Sequence, residues 1–579
     1  MLYLALSVMA DDYSGAINLI TCYNALVMVL SVNISEKSFG DKLLYDQLQF
    51  EVQAGEKVGL IGRNGTGKST LFHLITCDDV DFQGEIKTGR NVIVVSSRQE
   101  HHGHEHKTVL EYIQGDLPEY AELAHIIDTY PEHMGENQKK MTSFAEALER
   151  FNHLGYYQIE DEISQAFEDY QLDPAKMHGL MSDLSGGQKR MIELIKVQRS
   201  RGDLALIDEP TNHMDYIAKQ SFVKWMNSTK EAVLVITHDR DVLRTVDRII
   251  EIRDCRAFPF RGNYEQYLKI NKNQITAQVN EYDQIQRRIS NLREDVVRFR
   301  RMKERARDPG TIKRFKSQEQ QASAELTRLL NTEKPSFWID QESAVDMTTK
   351  MTAAYQKYKA KNIQLNTHSK EVQTERLLIQ VDKLSLGYGD KPLFDEVSFS
   401  LHEGERLRLH GRNGAGKTTI VEAIMAQIEG RTPLSHRFAG HIAAEKSLRL
   451  GLYEQEIDSK YLPLTLTEAI EQVFMDKDVP VNDQVVKQML GNYLFDPISD
   501  GMMLVKNLSG GQKARFQLIR MLANKPELLI LDEPTNHLDL PSIEELENAL
   551  TDYHGAVIYI SHDSYFANKL GGETIPVGN

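Results

Sequence analysis

The chain has 579 residues, 41% of them hydrophobic, with 68 Lys and Arg against 84 Asp and Glu for a net charge of −16. That excludes a mainly disordered or collagen-like polymer and allows about four domains; taken alone, the acidic sum argues against a nucleic-acid partner. Cys22, Cys77 and Cys255 are too few and too scattered for a disulfide framework or a metal site, and fit a reducing compartment.

Residues 13–35 carry no charge, but Asn18, Thr21, Asn24 and Ser31 interrupt the apolar run, and only Asp11 and Asp12 precede it. It is therefore read neither as a membrane span nor as a secretory signal. Met28–Val32 is expected to be a strand of the first domain, and residues 1–27 an upstream extension with Met28 as the natural start.

An internal repeat organises the rest. The run from Glu56, EKVGLIGRNGTGKST, returns as ERLRLHGRNGAGKTT from Glu405, and FGDK at Phe39 pairs with YGDK at Tyr388. LSGGQK at Leu184 and Leu508, DEPTNH at Asp208 and Asp532, and HD at His238 and His562 recur at a shorter offset. Gln99 pairs with Gln455, so 86 positions separate Gln99 from Ser185 while only 54 separate Gln455 from Ser509. The surplus is placed within about 115–165, where YAELAHIIDTY and MTSFAEALERFNHL have helical spacing around a PEHMGEN turn; a helical hairpin is expected. The run HHGHEHK at His101–Lys107 is read as a solvated loop rather than a metal site.

Gly62–Ser69 and Gly411–Thr418 both match G-x-x-x-x-G-K-[ST] between a strand-like and a helix-like run. Gly62, Arg63, Asn64, Gly65, Thr66 and Gly67 in one copy, and Gly411, Arg412, Asn413, Gly414, Ala415 and Gly416 in the other, offer backbone N–H groups to phosphate oxygens. Lys68 and Lys417 bring charge to the β and γ phosphates, Ser69 and Thr418 suit Mg²⁺, and Thr70 and Thr419, next in each run, are further expected nucleotide-binding residues. The strands LALIDE and LLILDE end in acid pairs. Asp208 and Asp532 suit Mg²⁺, and Glu209 and Glu533 suit the base that polarises an attacking water.

With LSGGQ at Leu184–Gln188 and Leu508–Gln512 added to these motifs, the chain resembles the ATP-binding cassette superfamily. The resemblance implies an α/β fold of two P-loop NTPase cassettes packed head to tail, with each ATP held between one P-loop and the opposite signature. Lys68, Asp208, Glu209, Gln99 and His238 are then to act with Ser509, Gly510, Gly511 and Gln512. Lys417, Asp532, Glu533, Gln455 and His562 are to act with Ser185, Gly186, Gly187 and Gln188. Gln99 and Gln455 join the Mg²⁺ sets and the catalytic groups, Phe39 and Tyr388 match the adenine-stacking aromatic, and Asn212–Asp215 and Asn536–Asp539 match the D-loop. Both base positions hold Glu, so two competent sites are expected.

Between the copies, Leu268, Ile275, Tyr282, Ile289 and Val296 form one heptad row and Ile285, Leu292 and Phe299 another. Asp308–Gly310 stops the helix, and Phe315, Ala322 and Leu329 continue with Ile312 and Leu326 alongside. Two long antiparallel helices with a tip near 305–314 are expected. Twelve basic residues lie between Arg287 and Lys316 against four acids, a net of +8, which leaves −24 for the other 549 residues. Such a stripe is the electrostatic footprint of nucleic-acid backbone binding. Arg298, Arg300, Arg301, Lys303, Arg305, Arg307, Lys313, Arg314 and Lys316 are the expected RNA contacts, while Phe299 and Phe315 are read as core. In the stretch 331–375, KPSFWID reads as a strand or docking loop and AVDMTTKMTAAYQKYKAKN as a further helix.

Two cassettes joined by a long charged helical linker, GNYEQYL at Gly262–Leu268 and DEPTNHLD at Asp532–Asp539 resemble the ABC-F proteins. The expected domains are 1–27 (extension), 28–258 (first cassette with its arm), 259–375 (linker) and 376–579 (second cassette). The resemblance implies a cytoplasmic, monomeric ATPase using ATP and Mg²⁺. It would bind the ribosome near the tRNA exit site, with the linker reaching toward peptidyl-tRNA, in translation or in protection from antibiotics. The alternatives are a soluble ATPase subunit of a transporter and a DNA-associated ATPase.

Overall fold

The computed structural model describes residues 28–330 and 376–578, apart from breaks at 40–41, 77–78, 80, 99–102, 134–137, 213, 390, 446–447, 455–456, 509 and 537. Residues 1–27, Cys77 and the segment 331–375, with the readings placed on them, lie outside the described residues. Two compact units form, one holding both cassettes and the other beginning at Glu265.

The first cassette opens with β1 (Met28–Phe39) and β2 (Lys42–Gln53), then β3 (Lys57–Gly62), α1 (Lys68–Ile75), β4 (Gln83–Thr88) and β5 (Val94–Ser96). The helical portion follows as α2 (Val109–Gly115), α3 (Tyr120–His133), α4 (Gln138–His153), α5 (Ile159–Asp169) and α6 (Gly186–Arg199). The chain returns through β6 (Leu204–Asp208), α7 (Tyr216–Ser228), β7 (Ala232–Ile236), α8 (Arg240–Leu243), β8 (Arg248–Arg253) and β9 (Arg256–Arg261). Apart from Lys57 at the start of β3 and Asp208 at the end of β6, strands β3, β6 and β7 are apolar runs and every residue in them is buried, as a parallel sheet covered on both faces requires. They form the middle of a six-stranded sheet in the order β5-β6-β7-β3-β8-β9, beside an antiparallel sheet β2-β1-β4. Between them lies a core of Leu30, Val32, Leu48, Leu60, Leu71, Leu206, Leu234 and Ile250 among others.

Only α3 and α4 make up the expected hairpin. Tyr120, Phe151 and Tyr156 form an aromatic cluster at its base, with ring centroids 5.3–5.6 Å apart. A two-point Arg150–Glu119 pair, at 2.9 and 2.6 Å, ties α4 to the start of α3. Beyond it, α5 belongs to the cassette body, where Glu162 pairs with Arg201 at 2.6 Å. The expected first boundary, after residue 258, falls inside β9: Arg248↔Arg261 and Ile250↔Pro259 are paired, so backbone hydrogen bonding holds 259–261 in the sheet.

In the second unit, α9 (Tyr264–Arg305) and α10 (Pro309–Leu330) are the long helices that the heptads require. Arg288 pairs with Glu325 at 2.8 Å and Arg300 with Glu319 at 3.2 Å, a register that makes the two antiparallel. Ile289, Leu292 and Ala322 are buried in the seam. The sequence reading made Asp308–Gly310 a stop; here it is also a start. The Asp308 carboxylate accepts from the Thr311 N–H at 2.7 Å, and Pro309 and Gly310 are the first residues of α10. This is an N-cap followed by Pro at the first helical position.

The second cassette repeats the plan with β10 (Leu377–Tyr388), β11 (Lys391–Pro392), β12 (Val397–His402), β13 (Arg406–His410), α11 (Lys417–Glu429), β14 (His436–Ala444) and β15 (Leu450–Tyr453). It continues through α12 (Leu466–Asp476), α13 (Asp483–Asn492), α14 (Gly510–Leu522), β16 (Leu528–Asp532), α15 (Leu540–Thr551), β17 (Ala556–Ile560), α16 (Ser564–Leu570) and β18 (Glu573–Pro576). Its parallel sheet runs β15-β16-β17-β13-β18, the same order as in the first copy.

Candidate nucleotide sites between the cassettes

Each P-loop bridges the end of a central strand and the start of a helix, β3 to α1 and β13 to α11. The turn needs backbone that only glycine adopts freely: Gly67 and Gly416 have φ of +94° and +95°. A Cβ on Gly67 would stand 2.6 Å from the Tyr45 hydroxyl. Within the loop, the Lys68 ammonium donates to the carbonyls of Gly62 (2.6 Å) and Arg63 (3.2 Å); Lys417 repeats this on Gly411 (2.8 Å) and Arg412 (2.7 Å). Burial lowers the pKa of both lysines.

The acid pairs stand where β6 and β16 end. Glu209 and Glu533 take φ of +45° and +47°, a left-handed conformation costly for a residue with a Cβ. Both copies keep it, and each Glu N–H donates to the neighbouring strand, at Ile236 and Ile560. Thr418 donates to Asp532 at 3.0 Å, which places the two expected Mg²⁺ ligands of that site side by side. Burial, then the neighbouring Asp208 or Asp532, pushes both glutamates up, Glu533 to about 7. His238 and His562 stand with Nε2 at 3.5 and 3.4 Å from Glu209 and Glu533. Burial first, and then the lysine charge, pushes both histidines down, His562 to about 3, so they are neutral acceptors and donors. Neither ring nitrogen of either histidine has a hydrogen-bond partner among the described residues, nor does Glu533 Oε1. Buried polar atoms left open beside a P-loop lysine fit a phosphate group and an attacking water.

The signatures open α6 and, within its described residues, α14. Ser185 caps α6, accepting from the Gln188 N–H at 3.3 Å while its own N–H donates to Gln188 Oε1 at 3.1 Å. Gln188 is thus committed to the capping box, and Gln512 donates to Asp500 at 3.4 Å. Across the interface two reciprocal bonds join the cassettes. The Asn64 N–H of the first P-loop donates to Asp539 of the second D-loop at 3.0 Å, and the Asn413 N–H of the second donates to Asp215 of the first at 3.2 Å. These are matched positions of the repeat, so the pairing is head to tail with pseudo-two-fold symmetry.

A cleft of about 710 Å³ follows this interface and brings Ser185, Gly186 and Gly187 together with Asn413, Gly414, Thr418, Glu533 and His562. Asn64, Gly65, Glu209 and His238 line the same cleft. A cavity of about 560 Å³ holds Lys68, Ser69, Thr70, Asp208 and Glu209, and one of about 360 Å³ places Arg63 and Thr66 against Arg515 and Asp539. Phe39 and Tyr388 end β1 and β10 with 78% and 54% of their surface exposed. Gln99, Gln455 and Ser509 lie outside the described residues. The basic residues of the linker are exposed at the ends of α9 and α10, except Lys303, half-buried beside Glu319. Phe299 and Phe315, read as core, are only half-buried.

The sequence reading missed a buried ion pair between the cassettes and a hydrogen bond beside it. Arg240 pairs with Glu547 at 2.7 Å, and Ser564 donates to Asp241 at 2.8 Å. The matched positions, Ser564 for Arg240 and Val223 for Glu547, carry other residue types, so no motif marked them.

The ABC transporter family model matches residues 45–212 and 394–536, more than half of the chain. The chain belongs to the ATP-binding cassette family. Its cassettes bind ATP and hydrolyse it. Similar proteins include "Putative ATP-binding protein YdiF" of Bacillus subtilis, 29% identical over 96% of this chain and 80% of the relative. "Ribosome protection protein VmlR" of B. subtilis is 26% identical over 93% of this chain and 85% of its own length. "Energy-dependent translational throttle protein EttA" of Mycobacterium tuberculosis is 28% identical over 92% and 88%. This ATP-binding cassette chain is of the ABC-F type, two cassettes in one polypeptide. Among solved structures, an archaeal ribosome recycling factor, aABCE1, in complex with a stalk protein shares the fold. Its TM-score is 0.52 at 15% identity, over 93% of this chain and 86% of that one. No helix among the described residues is long and apolar enough to cross a membrane.

Proposed function

We propose that the protein is an ATP-gated ribosome-binding factor, in which closure of the two cassettes on ATP presents the basic linker tip to RNA. The observation that carries this reading is the clustering of Arg298, Arg300, Arg301, Arg305, Arg307, Lys313, Arg314 and Lys316 at one end of a helical hairpin, on a chain that is otherwise strongly acidic. Concentrated positive charge binds phosphate backbone by counterion release. Relatives named for ribosome protection and for translational throttling match more than nine-tenths of the chain. The place of action inferred from this is the cytoplasm, with the tip directed from near the tRNA exit site toward peptidyl-tRNA.

In this reading Lys68 and Lys417 hold the β and γ phosphates, and Phe39 and Tyr388 stack on the base. Ser69, Asp208 and Gln99 in one site, and Thr418, Asp532 and Gln455 in the other, hold Mg²⁺, which supplies charge to the phosphate oxygens. Glu209 and Glu533 take the proton of the attacking water, and His238 and His562 hold the γ-phosphate. Ser185–Gln188 and Ser509–Gln512 close each site from the opposite cassette.

Binding of the ATP-loaded chain to ribosomes, duplex DNA and lipid vesicles at matched salt tests the partner. A preference for ribosomes of at least tenfold supports the proposal; equal or tighter binding to DNA favours a DNA-associated ATPase and contradicts it.

A further inference from the structure

The two signature helices differ one step beyond the shared motif. The first reads Gln188-Lys189-Arg190-Met191 and the second Gln512-Lys513-Ala514-Arg515, so the arginine is displaced by one residue, about 100° around the helix. The two side chains therefore go to different places. Arg515 donates to the carbonyls of Tyr493 (3.2 Å) and Leu494 (2.6 Å) and lies over the Phe495 ring at 4.7 Å, within the helical portion of its own cassette. Arg190 turns inward to the end of β6. Its Nε donates to the Glu209 carbonyl at 3.3 Å, its Nη2 donates to the same oxygen at 2.9 Å and to the Asp208 carbonyl, and its Nη1 reaches Arg98 O at 3.5 Å. It lines the cavity that holds Lys68 and Glu209.

The peptide it grips is the one that must be held. Glu209 has a φ of +45°, and a strained backbone persists only where its surroundings over-determine it. A guanidinium presents donors in a fixed planar fork, suited to two successive carbonyls. Glu533 has the same strained conformation at φ +47°, but Ala514 has no group with which α14 can do the same.

We infer that Arg190 is a positioning residue for Glu209, fixing the base of the first ATP site to the signature helix that closes the second, and that the two sites are unequal for this reason. The inference rests on the assignment of Glu209 and Glu533 as bases under the proposed function. Since α6 carries Ser185–Gly187 into the cleft with Asn413 and Gly414, a rigid helix spans from one P-loop to the base of the other site. The second site has no such strut at the matched position.

The test isolates each site. E533Q leaves the first site to turn over and E209Q the second; R190A and R190K are placed in each background, and steady-state ATPase is measured. With E533Q, R190A lowers kcat about tenfold or more while KM for ATP stays within about twofold, and R190K recovers part of the loss. With E209Q, R190A changes kcat by less than about twofold. The same substitution sits in the same fold in both backgrounds, so a loss confined to one does not come from unfolding. An equal loss in both, no loss with E533Q, or a change in KM alone overturns the inference. Wild-type turnover in the E209Q chain itself overturns the base assignment, and the inference with it.

Discussion

A carboxylate placed where neither water nor a counter-charge fully reaches it reports on the fold through its proton. Glu231 lies just before β7; burial raises its pKa to about 7 against the pull of Lys57. The folded chain therefore keeps a proton that the unfolded chain releases near the ordinary carboxyl value. The associated stability is complete below pH ~4.5 and is lost as pH rises through 7. E231Q should match the wild type in thermal midpoint at pH 5 and exceed it at pH 8, measured without nucleotide. The D-loop aspartates give a second residue-scale expectation. Asp539→Ala and Asp215→Ala each remove a carboxylate acceptor from a P-loop N–H of the opposite cassette, worth about 1.5–3 kcal/mol. Each should reduce kcat/KM for ATP by roughly ten- to hundredfold, read in steady-state ATPase assays.

Among the elements, legibility followed how local the cause was. Strands β3, β6 and β16 are legible because burial on both faces forces a nearly continuous apolar run, and α9 and α10 because the heptad persists for many turns. The P-loops, acid pairs and signatures were legible because phosphate chemistry tolerates few residue types. Less was readable where tertiary contacts decide. β9 runs past the expected boundary because its partner β8 is there to pair with, and Asp308–Gly310 both ends one helix and starts the next, through an Asp308–Thr311 bond that periodicity does not show. The arm matches the surplus in length but ends short of residue 165, the limit of the expected window, because α5 has an apolar face, Ile159, Ile163, Ala166 and Phe167, that is buried in the cassette. No motif reaches Arg190, which follows LSGGQK; its role depends on which carbonyls stand opposite, and sequence spacing does not carry that. At this scale, Asp308→Ala removes the cap of α10 at a cost of ~1 kcal/mol, expected as a lower helical content in circular dichroism with ATPase activity retained.

Across the whole molecule, the cassettes are joined by symmetric contacts from matched positions of the repeat and by an asymmetric ion pair that the repeat does not encode. Arg240 and Glu547 are 4% and 1% exposed, and removing one partner of such a pair leaves an uncompensated buried charge, costing about 3–5 kcal/mol. E547V alone should sharply lower the denaturation midpoint. The double change R240S/E547V, which installs the residue types of the other copy, should recover most of it.

The acidic sum that argued against nucleic acid is an average over an acidic body and a basic tip, and the proposed function depends on the tip. The most direct test is co-sedimentation of the E209Q/E533Q chain with ribosomes in ATP at moderate salt, with the intact tip or with residues 305–314 replaced by a neutral sequence. The intact chain should pellet with ribosomes only when ATP is present, and the replaced chain should stay in the supernatant. An intact, ATP-loaded chain that remains in the supernatant, or a replaced chain that pellets equally, would contradict the account.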